Sequence, residues 1–164
     1  TLLALKYWSM ARNGGMDSIR IISDSIGISA GEISKGTKRL VAAKLLVKRE
    51  DRYFTESGAL LEWLCYGVRY AYPAQSIGYG RGMPTAWNCT ILKSEVMPPM
   101  PAHVWQQAGG EAEGVWVEPF HASVPYAAAR DKLLYEVLSL TEAIRLGKPR
   151  ELAIARAMLV EKIK

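Results

Sequence analysis

The strongest constraint on the fold is the apolar spacing between Asp17 and Thr55. Ile19, Ile22 and Ile26 recur at three- and four-residue intervals, which predicts a helix over 17–25 with Asp17 as its N-cap. Ile26-Gly27-Ile28 then predicts a corner, because glycine tolerates a left-handed backbone and Ile28 can bury itself beneath it. Ser29-Ala30-Gly31-Glu32 reads as a capping box: the Ser29 hydroxyl accepts from the Glu32 amide, and the Glu32 carboxylate reaches back to the Ser29 amide. A helix therefore begins at Ala30. Its stripe of Ile33, Thr37 and Leu40 faces a core and leaves Gly31, Ser34, Lys35, Lys38 and Arg39 outside. Ala42, Ala43, Leu45 and Leu46 take the chain inward again. Leu46 to Arg49 and Arg52 to Phe54 predict two short strands around Glu50-Asp51, with Thr55 as the next N-cap.

Charge is distributed unevenly around this pattern. Residues 1–55 hold ten Lys/Arg against five Asp/Glu, whereas residues 56–164 hold eleven of each, so the formal +5 belongs to the first third. Cations gathered on one small module are the footprint of a phosphate-backbone binder. Helix, corner, basic helix and charged hairpin, in that order, predict a winged helix-turn-helix. The helix at about 30–43 would enter the major groove of double-stranded DNA, and the hairpin at about 46–54 would lie on the backbone. Ser34, Lys35 and Lys38 share the side that enters the groove, where lysine donates to guanine or phosphate and serine to either. Arg39 flanks them. Ser29 and the amides of Ala30 and Gly31 make a phosphate site at the helix start, and Lys48, Arg49 and Arg52 arm the hairpin. The plainer reading of the same helix is a solvated cationic face.

Ile22-Ser23, Ile26-Gly27-Ile28-Ser29, Ile33-Ser34, Leu40, Ala43 and Leu45-Leu46 carry a resemblance that continues through Lys48-Arg49-Glu50, Tyr53 and Thr55-x-x-Gly58. This third of the chain resembles the bacterial winged helix-turn-helix transcriptional regulators of the MarR and GntR kind. The resemblance implies operator binding, usually as a dimer, with Ser34, Lys35 and Lys38 in the groove and Arg49 and Arg52 on the wing. Two positions depart from it: Lys44 stands where such regulators usually have glycine, and Thr37 where they commonly have leucine.

Leu2 to Arg12 predicts a support helix packed on one broad face and ended at Asn13-Gly14-Gly15, and Ser57 to Val68 predicts an amphipathic helix covering the module. Between Arg69 and Pro125 lie seven of the eight prolines, which predict ordered loops with a few short strands, Val115-Trp116-Val117 the best of them. The aromatic residues there predict a mini-core rather than base stacking. Asp131 to Leu146, closed by a left-handed Gly147, and Pro149 to about Ile163 predict a helical hairpin. Leu133, Val137, Leu140, Leu152 and Leu159 offer it more apolar surface than a small hairpin hides, hence a homodimer surface. The expected fold is mainly α with a small β-wing: a winged helix-turn-helix domain at 1–68, then 69–164 as a loop-rich middle and a C-terminal helical hairpin for dimerisation or partner binding.

Other chemistry is weakly signalled. Cys65, Cys89, His103 and His121 are separated by 24, 14 and 18 residues, without the close pairs of a zinc site, and Cys89 with His103 has no orienting group nearby. Gly78-Tyr79-Gly80-Arg81-Gly82 matches no phosphate-binding fingerprint and reads as a structural turn before it reads as an anion pocket at Arg81. No apolar run approaches a bilayer span, and Thr1 to Leu5 is too short for a signal h-region. The expectation is a non-enzymatic, cofactor-free transcriptional regulator of the cytoplasm and nucleoid, with no membrane partner and most simply a repressor. An adaptor for a protein partner, such as a co-encoded toxin or enzyme, and a small-molecule sensor are the alternatives.

Overall fold

The computed structural model describes residues 1–15 and 18–164; the expected Asp17 cap lies outside the described residues. Roughly half of the chain is helical and two small sheets make up a mixed α/β fold. α1 (Leu2–Arg12), α2 (Ile19–Ile26) and α3 (Ala30–Ala42) precede an antiparallel hairpin of β1 (Leu46–Arg49) and β2 (Arg52–Thr55). Gly27 ends α2 with φ 65° and ψ 33°, as the corner requires, and Ile33, Thr37 and Leu40 are the buried residues of α3. Ile22 and Ile26 are buried too, but Ile19 is exposed. Thr55 is not a cap: it ends β2, donates to the Ala4 carbonyl and leaves the N-cap to Glu56.

α1 differs from its expected one-sided packing, since every residue from Leu2 to Met10 is buried. Its polar groups are satisfied by different neighbours. Lys6 and Ser9 both bond Asp131, at 3.0 and 2.6 Å, Tyr7 bonds Thr37 at 3.0 Å, and the Trp8 indole donates to the Ile163 carbonyl at 3.4 Å. Thr37 also donates back to Ile33, so its hydroxyl takes Tyr7 as donor. That accounts for threonine in place of leucine.

α4 (Ser57–Glu62) runs through a π-helical turn at Trp63–Gly67 into α5 (Val68–Ala71). The expected domain boundary at 68 falls inside this helical run, and apolar residues from both sides share one core cluster.

The middle region is the main correction to a mainly α fold, because it holds a second sheet. β3 (Ser76–Pro84) pairs antiparallel with both β4 (Ala102–Gln106) and β5 (Ala112–Val117). β4 and β5 follow one another along β3, meet at Gly82, and loop out between them over 107–111. Pairing of Ala102–Val104 with Gly114–Trp116 closes the strands on themselves. The glycine motif is thus a strand rather than a turn. Gly78 and Gly80, at φ 153° and 154°, lie under the Trp116 ring, where a methyl group would approach it to 2.7 and 2.6 Å. Among the expected mini-core aromatics Trp87 and Trp105 are buried and Trp116 partly so, while Tyr70 and Tyr72 are exposed.

α6 (Val124–Ala128) leads to α7 (Lys132–Leu146) and α8 (Pro149–Ile163), the expected helical hairpin with Pro149 opening its second arm. Gly147 is extended (φ −64°, ψ 140°) rather than left-handed, fitting tightly beside the Ala143 carbonyl and the Leu152 amide. Val137, Leu140 and Leu159 are buried within the monomer and Leu133 and Leu152 partly so, so the surplus expected to drive dimerisation is consumed by α1 and the core. Among the described residues no helix is long and apolar enough to cross a membrane.

Arg145 ties α7 to two distant segments. Its Nη1 meets both Glu142 oxygens at 2.6 and 2.7 Å, while the guanidinium also donates to the carbonyls of Tyr72, Pro73 and Glu118. Burial pushes Glu142 up to about 7 against the pull of Arg145. Arg145→Ala strands this carboxyl and three carbonyls, and should cost about 3–5 kcal/mol in urea unfolding.

Asp131 behaves oppositely. Burial raises its carboxyl, but bonds from Ser9, the Leu134 amide and Lys6 outweigh burial and leave it lowered. A depressed folded value means that its contribution is full above the unfolded value near 4 and fades as pH falls through the folded one. The stability difference between wild type and Asp131→Asn should therefore be constant from neutrality down to about pH 4 and shrink below it. A difference that grows on acidification would refute this assignment.

Candidate nucleic-acid interface

The outer face of α3 is set by its buried stripe. With Ile33, Thr37 and Leu40 inward, Gly31, Lys35, Lys38 and Arg39 emerge into solvent and Ser34 is half-buried beside them. The Lys35 side chain is 70% exposed and that of Arg39 71%. Ser29 accepts the Glu32 amide at 3.3 Å, the expected half of the capping box. That bond leaves the first-turn amides of Ala30 and Gly31 at an open helix start, with nothing within 4 Å of where a Gly31 side chain would be.

Glu32 departs from the expected box, because its carboxylate turns to Lys35 at 3.2 Å and to Arg39 at 3.9 Å. The physical reason is local. Two cations one helical turn or two away offer an exposed carboxylate more than a single amide does. Such exposed pairs are worth about 0–1 kcal/mol and yield to a phosphate. Lys38 has no carboxylate partner among the described residues, which makes it the most available cation of the face.

The hairpin presents a second group of cations. Lys48 lies 3.9 Å from Asp51 and Arg49 3.7 Å from Glu56, both at the surface. Arg52 donates to the Gly15 carbonyl at 3.1 Å, and the guanidinium groups of Arg49 and Arg52 each sit 5.8 Å from the Phe54 ring. Arg49 is thus held by Glu56 and Phe54, and Arg52 by the Gly15 carbonyl and Phe54. The structure brings Ser34, Lys35, Lys38 and Arg39 onto one helix face and Lys48, Arg49 and Arg52 onto one two-stranded hairpin that follows it.

The other candidate groups take structural positions. Cys65 and Cys89 are buried, and burial pushes both thiols up. Burial lowers His103 and His121. Among the described residues no group of three or more His, Cys, Asp or Glu could hold a metal ion. Arg81 is exposed, donates to the Gly110 carbonyl and pairs in register with Glu113.

Lys44, the first departure from the resemblance, lies just past the end of α3. It stands where the resembling regulators have glycine, and its backbone is left-handed, at φ 58°, with the side chain in solvent between α3 and β1. A lysine in this conformation carries strain that glycine relieves. Lys44→Gly should raise unfolding stability by about 0.5–1 kcal/mol, the left-handed strain less the extra chain entropy of glycine. An unchanged or lowered midpoint in urea would count against strain at this corner.

Comparison with protein-family models, with curated proteins and with solved structures finds no match, so the interface stands on its own geometry.

Proposed function

We propose that this chain is a double-stranded DNA-binding transcriptional regulator, most simply a repressor, whose first 68 residues act as a winged helix-turn-helix. α3 enters the major groove with Ser34, Lys35 and Lys38 toward base edges and phosphates. Ser29 and the Ala30 and Gly31 amides receive a phosphate, Arg39 flanks the groove, and Lys48, Arg49 and Arg52 meet the neighbouring backbone. The observation that carries this reading is the open cationic face of α3, formed because a buried stripe on the opposite side holds the helix by its back. The formal charge of the chain lies on the same segment.

The reading keeps a homodimer, since operator recognition normally uses two half-sites about 34–36 Å apart. Val137, Leu140 and Leu159 of α7 and α8 are interior, which favours another surface for that dimer. No cofactor or catalytic step enters the reading, and its place of action is the nucleoid. A protein adaptor is the competing role, favoured by the exposed Ile19 and Ile21 on α2.

The test is binding to a mixed-sequence duplex of about 30 base pairs, roughly three helical turns, across a range of salt. Lys35→Ala with Lys38→Ala should leave thermal unfolding unchanged, weaken binding at every salt concentration, and reduce the slope of log K against log salt by about 2, one unit per lost phosphate contact. Equal affinity in the double variant, or an affinity indifferent to salt in the wild type, overturns the reading and leaves the adaptor.

A further inference from the structure

α2 has only eight residues and ends at an open corner, so its last carbonyls need partners from elsewhere. They find them about a hundred residues along the chain. The Tyr126 hydroxyl donates to the Asp24 carbonyl at 3.1 Å, and the Ser123 hydroxyl donates to the Gly27 carbonyl at 3.3 Å. The Tyr126 ring lies against Gly27 itself, where a methyl group would stand 3.1 Å from Cδ1 and 3.3 Å from Cε1. Gly27 is thus required twice, for its left-handed backbone and for the ring beside it.

Tyr126 is in turn held firmly. Arg130 places its guanidinium 3.5 Å from the ring centroid and donates to the Tyr126 carbonyl at 3.2 Å. Val124, Ala127 and Ala128 are buried in the core, while Tyr126 itself is 41% exposed. The side chain is therefore an arm extended from an anchored helix to the α2–α3 corner. α3 begins three residues after Gly27, so the direction of the corner is the direction in which α3 leaves it.

We propose that Tyr126 is a positioning residue for the α3 interface: α6 grips the α2–α3 corner and sets the angle at which α3 meets DNA. The C-terminal part of the chain thereby acts on the reading helix without touching DNA. This rests on the proposed DNA-binding role, yet the grip itself is measurable without DNA.

The experiment compares the wild type with Tyr126→Ala, which removes ring and hydroxyl, and Tyr126→Phe, which removes the hydroxyl alone. Amide hydrogen exchange on the free protein is read first. Tyr126→Ala should speed exchange at Gly27, Ile28, Ser29 and Ala30 while amides in α7 keep their protection, and Tyr126→Phe should fall between it and the wild type. Affinity for the same mixed-sequence duplex should then drop about tenfold in Tyr126→Ala with an unchanged salt slope, because the phosphate contacts survive and only their presentation is lost. Tyr126→Phe should recover much of that affinity.

Unchanged exchange at 27–30 in Tyr126→Ala overturns the grip. Faster exchange spread equally through α7 also overturns it, since it marks general destabilisation. Faster exchange at the corner with unaltered DNA affinity overturns the positioning role. If the Lys35 and Lys38 double variant also binds as wild type does, the fault lies with the DNA reading, and the exchange result still decides the grip.

Discussion

From Leu2 to Met10 α1 has no solvent face, and the rest of the molecule is arranged by that fact. A helix hydrophobic on one side needs one neighbour; a helix buried from Leu2 to Met10 needs neighbours all round. Burial of this much apolar side chain is worth about 1.5–3 kcal/mol for each large residue, and it draws α3, β2, α7 and α8 to a common axis. The four polar side chains in the buried stretch then fix how each neighbour sits. A buried ammonium or hydroxyl without a partner costs more than its bond gains, so Lys6, Tyr7, Trp8 and Ser9 specify register as much as they add stability. Asp131 answers two of them and also accepts from the Leu134 amide as the N-cap of α7. One carboxylate thus joins the first helix to the start of the helical hairpin.

Much of the local structure was legible because it depends on neighbours in sequence. The corner at Gly27, the cap at Ser29, the stripe of α3 and the hairpin all follow from spacing and side-chain chemistry within a few residues. The open face bearing Lys35 and Lys38 was legible for the same reason. What escaped depends on partners far along the chain. The buried outer side of α1 is invisible until α7 and α8 cover it. The glycines of 78–82 resemble a turn until Trp116, more than thirty residues later, is laid across them. Likewise Glu32 had a capping role by spacing, but the choice between an amide and two cations is settled only by side-chain geometry.

The departures from the winged-helix pattern have separate physical causes. Thr37 stands where the resemblance would have leucine, and there it meets the tyrosine hydroxyl that α1 presents while donating back into its own helix. Lys44 has no such compensation, since its left-handed backbone gains nothing from the side chain inside the fold.

α3 is consequently restrained on two sides. Its buried face is held by the Tyr7–Thr37 bond and the apolar stripe, and its entry is held by α6 through the corner at Gly27. Restraint of this kind matters for association, because ordering an interface during binding subtracts from affinity while ordering it during folding does not. The lysine side chains lie exposed on the outer face, while the helix that carries them is packed on the core through Ile33, Thr37 and Leu40. In the interface proposed above, a change at α6 would act through the angle of α3 rather than through its charge, since Ser123 and Tyr126 bond the corner and not the cations of α3.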